Sequence, residues 1–256
     1  MSDSIIAVIL GIVEGVTEFL PISSTGHMIL VGSILGYEGN KASVFEVFIQ
    51  LGAILSVLIL YRDKFWRMMD VRRLSITGGL SAFHIAAGIV PVMGIAYLLH
   101  KPIKEHLFGP FTVIIGLVAG AVFMLAAEKI AKRPTTRSVE DMTLSQAFFV
   151  GLFQVLSLWP GFSRSGSTIA GGLLFGISRT AAAEFSFIIA VPLMFVACIY
   201  DLMKSLNQLS SGDLQMIAIG FVVAFVVAYA SIVWFLRFLN TSTLASFAYY
   251  RFILAA

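Results

Sequence analysis

The sequence predicts an all-α integral membrane protein with about six transmembrane helices and two re-entrant helical hairpins, arranged as an inverted repeat. Three observations carry this prediction. Of the 256 residues 59% are hydrophobic and only 12% charged, and the mean hydropathy is +0.95, against roughly 45–50% apolar and 25% charged residues in a soluble domain. Two of the long apolar stretches are broken in the middle by Pro, Gly and Ser. Those two stretches also match each other at a constant offset of 140 residues.

A full crossing needs about 20 mostly apolar residues. Ordinary spans are predicted at 43–61, 80–99, 108–128, 181–203 and 214–236. A sixth begins near 243 and carries Tyr249, Tyr250 and Arg251, with the chain stopping at Ala256 short of a full crossing. The apolar runs follow one another with short polar breaks, so one polytopic domain covers 1–256 and no soluble domain stands apart. Met1-Ser2-Asp3-Ser4 has no basic region and no cleavage pattern follows it, so it belongs to the fold and is not a removable signal peptide. Cys198 is the single cysteine, which excludes an internal disulfide and argues against a thiolate metal site. The net charge of +3 sits in short loops between spans, where orientation in a membrane accounts for it; nucleic acid is not expected as a partner.

The broken stretches are 5–35, interrupted by Pro21-Ile22-Ser23-Ser24-Thr25-Gly26-His27, and 144–176, interrupted by Pro160-Gly161-Phe162-Ser163-Arg164-Ser165-Gly166. Their longer arms, about 16 residues, reach roughly 24 Å against a hydrocarbon core of about 30 Å. Each is therefore a re-entrant hairpin whose loop stays in the membrane. The 140-residue offset pairs Gly11 with Gly151, Ser23 with Ser163, Gly26 with Gly166, Gly32 with Gly172 and Gly36 with Gly176. Repeat one covers 1–128 and repeat two 143–256, each a hairpin followed by three spans. Three is odd, so the second repeat is inverted relative to the first. Basic residues cluster in loop 62–79 (Arg62, Lys64, Arg67, Arg72, Arg73) and in 129–142 (Lys129, Lys132, Arg133, Arg137), which places both on the cytoplasmic side. The first hairpin then enters from outside and the second from the cytoplasm, and their polar tips meet inside the bilayer.

Glu14 and Glu18 are spaced i, i+4 and share a helix face, where two carboxylates repel unless a proton or cation lies between them. Ionisable groups at mid-bilayer are functional by default; the structural alternative is that they brace the loop by accepting its N–H groups. Ser23, Ser24, Thr25, Gly26 and His27 put three hydroxyls and an imidazole together, with Gly26 allowing close backbone approach to a ligand. This is the composition of an anion site holding a nucleophile, for which His27 or Glu18 supplies the base; the alternative is that the hydroxyls only satisfy backbone groups freed at the helix break. In repeat two the carboxylate positions are Gln154 and Leu158, while the place of Ser24 is taken by Arg164 between Ser163 and Ser165. The planar guanidinium fork suits phosphate oxygens, the alternative being a buried Arg164–glutamate ion pair between the hairpins. Glu46 and Glu184 are expected to hydrogen-bond the broken loops and His84 to be structural, with Asp201, Lys204, His100 and His106 solvated at span ends. No Walker loop, HExxH or paired CxxC occurs.

The run from Glu14 through Glu18-Phe-Leu-Pro-Ile-Ser-Ser-Thr-Gly-His27, together with Trp159-Pro-Gly-Phe-Ser-Arg-Ser-Gly166, closely resembles the two signature motifs of the undecaprenyl-diphosphate phosphatase, or bacitracin-resistance, family. Asp141-Met-Thr143, Glu184-Phe-Ser-Phe187 and Tyr250-Arg-Phe-Ile253 are similar to the family as well, and the likeness covers the whole chain. It implies hydrolysis of the C55 lipid diphosphate to the monophosphate carrier at the outer face of the bacterial inner membrane, which recycles the carrier for peptidoglycan synthesis and confers bacitracin resistance. A divalent metal, Mg2+ or Ca2+, is implied too. By the same resemblance Glu14 and Glu18 are the metal or acid/base carboxylates, Ser24 the nucleophile, His27 its base or proton carrier and Arg164 the diphosphate clamp. Ser23, Thr25, Gly26, Ser163, Ser165 and Gly166 would line the phosphate. Expected partners are the polyprenyl diphosphate and membrane lipids, with a homodimer left open. The residues themselves support an anion site facing a carboxylate pair, and leave serine attack and an activated water as alternatives. A secondary transporter or lipid flippase shares this architecture, but has no need of a nucleophile; a scaffold would not keep so many charges in lipid.

Overall fold

In the computed structural model, residues 2–69, 79–107, 109–205 and 213–256 are described. Arg72 and Arg73, and the side chains of His100 and Lys204, lie outside the described residues. The described chain is helical, with no strand. Five helices are long and apolar enough to cross a membrane: α3 (Asn40–Leu60), α5 (Ala82–His106), α6 (Pro110–Ile130), α9 (Arg179–Ser205) and α10 (Asp213–Leu239). They match the five expected spans to within three residues at every end but one, α5 running seven residues past the expected 99. The run expected from 243 forms α11 (Ala245–Ala255), 11 residues long. A short amphipathic helix, α4 (Arg62–Met69), follows α3 directly.

The broken stretches fold as helical hairpins. The first is α1 (Asp3–Thr17) and α2 (Ser24–Leu35); the second is α7 (Leu144–Gln154), a 3-10 turn Val155–Leu158, and α8 (Arg164–Leu174). The longest arm, 15 residues, rises about 22 Å and cannot cross a core of about 30 Å. Ser23 and Ser163 cap the returning arms, each accepting from a glycine N–H three residues on, Gly26 and Gly166, which satisfies a donor left over at a helix start. Both serines have positive φ, 69° and 75°. They are the only non-glycine residues in that region among the described ones, and they stand at the 140-residue offset.

The packing repeats with the arms exchanged. α1 lies along α10, and α7 lies along α5, so the first arm of each hairpin rests on a span from the other half of the chain. At these crossings a Cβ on Gly11 would stand 2.8 Å from the Gly220 carbonyl oxygen and one on Gly151 2.5 Å from that of Gly88. Small residues allow this backbone approach, as is usual between helices in lipid. α3 pairs with α9, and α6 with α11. α9 is the most deeply buried of the five spans, contributing Ala182, Phe185, Phe187 and Ile188 to the main core. Ile34, Val90, Leu98, Phe111 and Ile253 remain exposed on the outside, where lipid rather than water is the fitting solvent.

Candidate functional site in the junction of the two hairpins

Glu18 ends α1, and Ser24 opens α2. The intervening turn brings them together: the Ser24 hydroxyl donates to Glu18 Oε2 at 2.6 Å. The other carboxylate oxygen accepts from Arg164 Nη2 of the second hairpin at 3.4 Å. Arg164 Nη1 donates to the carbonyl and hydroxyl oxygens of Ser186 on α9 at 3.0 and 3.2 Å, and its guanidinium lies 5.7 Å from the Phe19 ring centroid. Thr168 in turn donates to the Ser186 hydroxyl at 2.7 Å. The guanidinium is thus aimed by three groups. Ser165 ties the hairpins a second time, donating to the Leu20 carbonyl at 2.9 Å.

These side chains surround a cavity of about 160 Å³ lined by both loops, with Glu18, Ser23, Ser24 and Thr25 on one side and Ser163, Arg164 and Trp159 on the other. Gln50 and Met194 complete it from α3 and α9. That is room for several water molecules. Gly26, Ser165 and Gly166 are buried and do not line the cavity, and neither do the two further expected site residues, Glu14 and His27. Glu14 is buried one helical turn before Glu18, and its Oε1 has no hydrogen-bond partner among the described residues. His27 turns away from Ser24. Its Nδ1 lies 2.8 Å from the Ser23 carbonyl oxygen and its Nε2 2.7 Å from the Tyr250 hydroxyl, with the two rings stacked at 5°. A carbonyl only accepts, so Nδ1 carries the proton, and both ring nitrogens are engaged.

Several expectations are corrected. Glu184 does not reach the loops; it pairs with Lys64 at 3.6 Å, and Glu46 makes no hydrogen bond among the described residues. The groups that serve the loops are Ser186, Thr168, Tyr250 and Arg251. Ser186 follows Glu184 by two residues, which on a helix points to a different face. His84 is structural, capping α5 through Ser81, and Asp201 and His106 are exposed. The Arg164–glutamate ion pair, the alternative to a phosphate clamp, exists with Glu18, and both residues line the cavity. Among the described residues no group of three or more His, Cys, Asp or Glu side chains is placed to hold a metal by itself.

The family model for the bacitracin resistance protein BacA matches residues 7–256. The chain is 51% identical over its whole length to a protein named undecaprenyl-diphosphatase 1 from Bacillus thuringiensis (strain Al Hakam), covering 97% of that relative. It is 50% identical, with the same coverage, to proteins of the same name from Bacillus cereus and Bacillus anthracis. The match runs through both hairpins and every span, so the residues that meet at the junction lie within it, and the chain belongs to the bacitracin resistance protein BacA family.

Proposed function

We propose that the protein hydrolyses undecaprenyl diphosphate to undecaprenyl phosphate and inorganic phosphate, recycling the lipid carrier for peptidoglycan synthesis and so conferring bacitracin resistance. The observation that carries this is the Ser24–Glu18–Arg164 constellation in one cavity, together with relatives of about 50% identity that bear the phosphatase name. Arg164 binds the oxygens of the terminal phosphoryl group, where its fork matches their geometry. Ser24 Oγ attacks the terminal phosphorus while Glu18, already hydrogen-bonded to that hydroxyl, takes its proton. The bond from that phosphorus to the bridging oxygen breaks and lipid monophosphate leaves. Water then hydrolyses the phosphoserine, releasing phosphate and restoring Ser24. His27, held through Tyr250, orders the loop from behind.

Glu14 and Glu18 fit a divalent metal in one respect: the orphaned oxygen of Glu14 is a hard, buried donor of the kind Mg2+ and Ca2+ take. Among the described residues no third His, Cys, Asp or Glu joins them, so diphosphate oxygens would complete the shell, the usual arrangement for Mg2+. The ion would supply neutralisation of phosphate charge.

The membrane arrangement belongs to the same proposal. Repeats 1–128 and 143–256 form one polytopic domain in the bacterial inner membrane, inverted relative to each other, with the site opening to the periplasmic side. Support comes from the exchanged packing of α1 on α10 and α7 on α5, and from the bases at one end of the spans: Lys64, Arg67, Lys132, Arg133 and Arg237. Phosphate release from a long-chain prenyl diphosphate in detergent, with and without a chelator, tests the activity. No release by folded protein with metal present would overturn it and favour a transporter or flippase.

A further inference from the structure

Arg251 on α11 is fully buried, the largest such side chain among the described residues. Its Nη2 donates to the Gly161 carbonyl at 2.8 Å and the Gly116 carbonyl at 3.2 Å, and its Nη1 to the Pro21 carbonyl at 3.5 Å. Among the described residues no carboxylate pairs with it, and its Nε has no partner. A guanidinium without a counter-ion is costly to hold in apolar surroundings, so its place has to be explained by what it grips.

What it grips is symmetric. Pro21 and Gly161 are related by the 140-residue offset, each three residues ahead of the groups that face each other in the cavity, Ser24 and Arg164. One guanidinium therefore joins the equivalent carbonyls of both loops and fastens them to α6. The α6 surface is cut back to admit it: a Cβ on Gly120 would collide with the Arg251 guanidinium and the Phe162 carbonyl, and one on Gly116 with the Pro160 carbonyl. The fork geometry matters here, because its nitrogens reach three acceptors at fixed angles.

We propose that Arg251 is a positioning residue, whose guanidinium fixes the separation of the two loops and so sets Ser24 and Glu18 opposite Arg164. For its effect on turnover this rests on the phosphatase reading above. Misplacement of reacting groups by about 1 Å costs on the order of 10²-fold, so Arg251→Gln is expected to lower kcat at least about tenfold with KM changed less than about threefold.

The test measures turnover of a long-chain prenyl diphosphate by Arg251→Gln, Arg251→Lys and Gly120→Ala. The last displaces the guanidinium without removing it, and the last two carry the test if Arg251→Gln fails to fold. Rates are taken per folded, monodisperse protein, alone and combined with Arg164→Lys. Because Arg251 acts through the placing of Arg164, the combined loss should fall short of the product of the single losses. In a Trp66→Phe/Trp234→Phe background, emission of Trp159, which sits two residues before Gly161 and donates to the Thr112 carbonyl at 2.9 Å, should shift in each Arg251 or Gly120 variant. Wild-type rates in all three variants, or losses that multiply with an unshifted Trp159 spectrum, would overturn the proposal. A silent wild-type enzyme overturns the phosphatase reading instead, and Trp159 then still decides whether Arg251 sets the loops.

Discussion

Glu18→Gln is the perturbation that separates the proposed chemistry from mere architecture, because both oxygens of this carboxylate are committed. Glu18 Oε2 accepts the Ser24 hydroxyl at 2.6 Å, and Oε1 accepts from Arg164 at 3.4 Å. Glutamine has the same shape, so the cavity should survive. Whichever way the amide turns, one partner is lost: Nε2 toward Arg164 opposes donor to donor, and Nε2 toward Ser24 leaves no group to take the proton. Loss of a positioned base costs 10²–10⁴-fold, or about 2.7–5.5 kcal/mol of barrier. The lost charge opposite Arg164, a loose contact at 3.4 Å, removes at most about 1.5 kcal/mol of stability, the lower end for hydrogen bonds to charged groups. Turnover of a prenyl diphosphate and thermal melting, both in detergent, read the two effects separately. Ser24→Ala is the companion variant: if Ser24 attacks, it should be as slow as Glu18→Gln, and the double variant no slower than either, as expected of residues that act as a unit. Glu18→Gln folded and working at more than about a tenth of the wild-type rate would refute the assignment of the base. Ser24→Ala near wild-type rates would give the attack to a water instead.

Arg164→Lys keeps the charge, but a single ammonium cannot hold Ser186 and Glu18 while also gripping phosphate; kcat should fall on the order of 10²-fold or more with folding intact, as phosphate release will show. Glu14→Gln should raise the Mg2+ concentration for half-maximal activity about tenfold or more, as metal titrations of turnover will show; an unchanged titration returns Glu14 to a structural role. Ser163→Gly relieves the positive φ while losing the cap, so its melting temperature should match or exceed wild type, whereas Ser163→Ala keeps the strain and loses about 1 kcal/mol. Glu140 lies in the loop before α7. Burial raises its pKa, but the Lys64 ammonium at 2.9 Å, the Leu80 N–H and Arg67 outweigh that and hold it below the ordinary carboxylate value. A depressed pKa contributes stability that is present above the ordinary value and lost as pH falls through the folded one. The melting difference between wild type and Glu140→Gln should therefore be full at neutral pH, worth about 0–1 kcal/mol for so exposed a pair, and close below about pH 4.

The hairpins were legible because their signal is local: a Pro-Gly-Ser break inside an apolar run, repeated at a fixed offset. The residues brought to the breaks from elsewhere were not. Arg251 and Tyr250 lie more than 200 residues from the first loop, and Arg251 lies 90 residues from Gly161 of the second; a charge in an apolar run and the family likeness of Tyr250-Arg-Phe-Ile253 mark them without saying what they bind. Ser186 entered only inside the Glu184-Phe-Ser-Phe187 likeness, which gives it no role of its own, a lone hydroxyl in a span being ordinary. The choice between His27 and Glu18 as base also lay beyond the sequence. His27 follows Ser24 by three residues, near enough on one helix to seem its partner, yet Ser23 and Tyr250 take both its nitrogens.

The two loops differ where they face each other, at Glu18 against Leu158 and at Ser24 against Arg164. Identical residues at the two matching loops would have placed like beside like, two carboxylate pairs or two guanidinium groups facing each other across the junction. Exchange of Glu18 for Leu158 and of Ser24 for Arg164 leaves opposite charges there instead, at 3.4 Å. That is longer than the roughly 2.7–2.9 Å of a strong charge-assisted hydrogen bond. Arg164 is held mainly by Ser186, with Glu18 a loose third partner. In the proposed reaction an arriving diphosphate, a better match for the fork than one distant oxygen, takes the place of Glu18 on Arg164. Glu18 is then released from its counter-ion while its other oxygen keeps the Ser24 proton within reach. Substrate binding and activation of the base become one event, which requires that the two loops keep their separation while the ion pair between them opens.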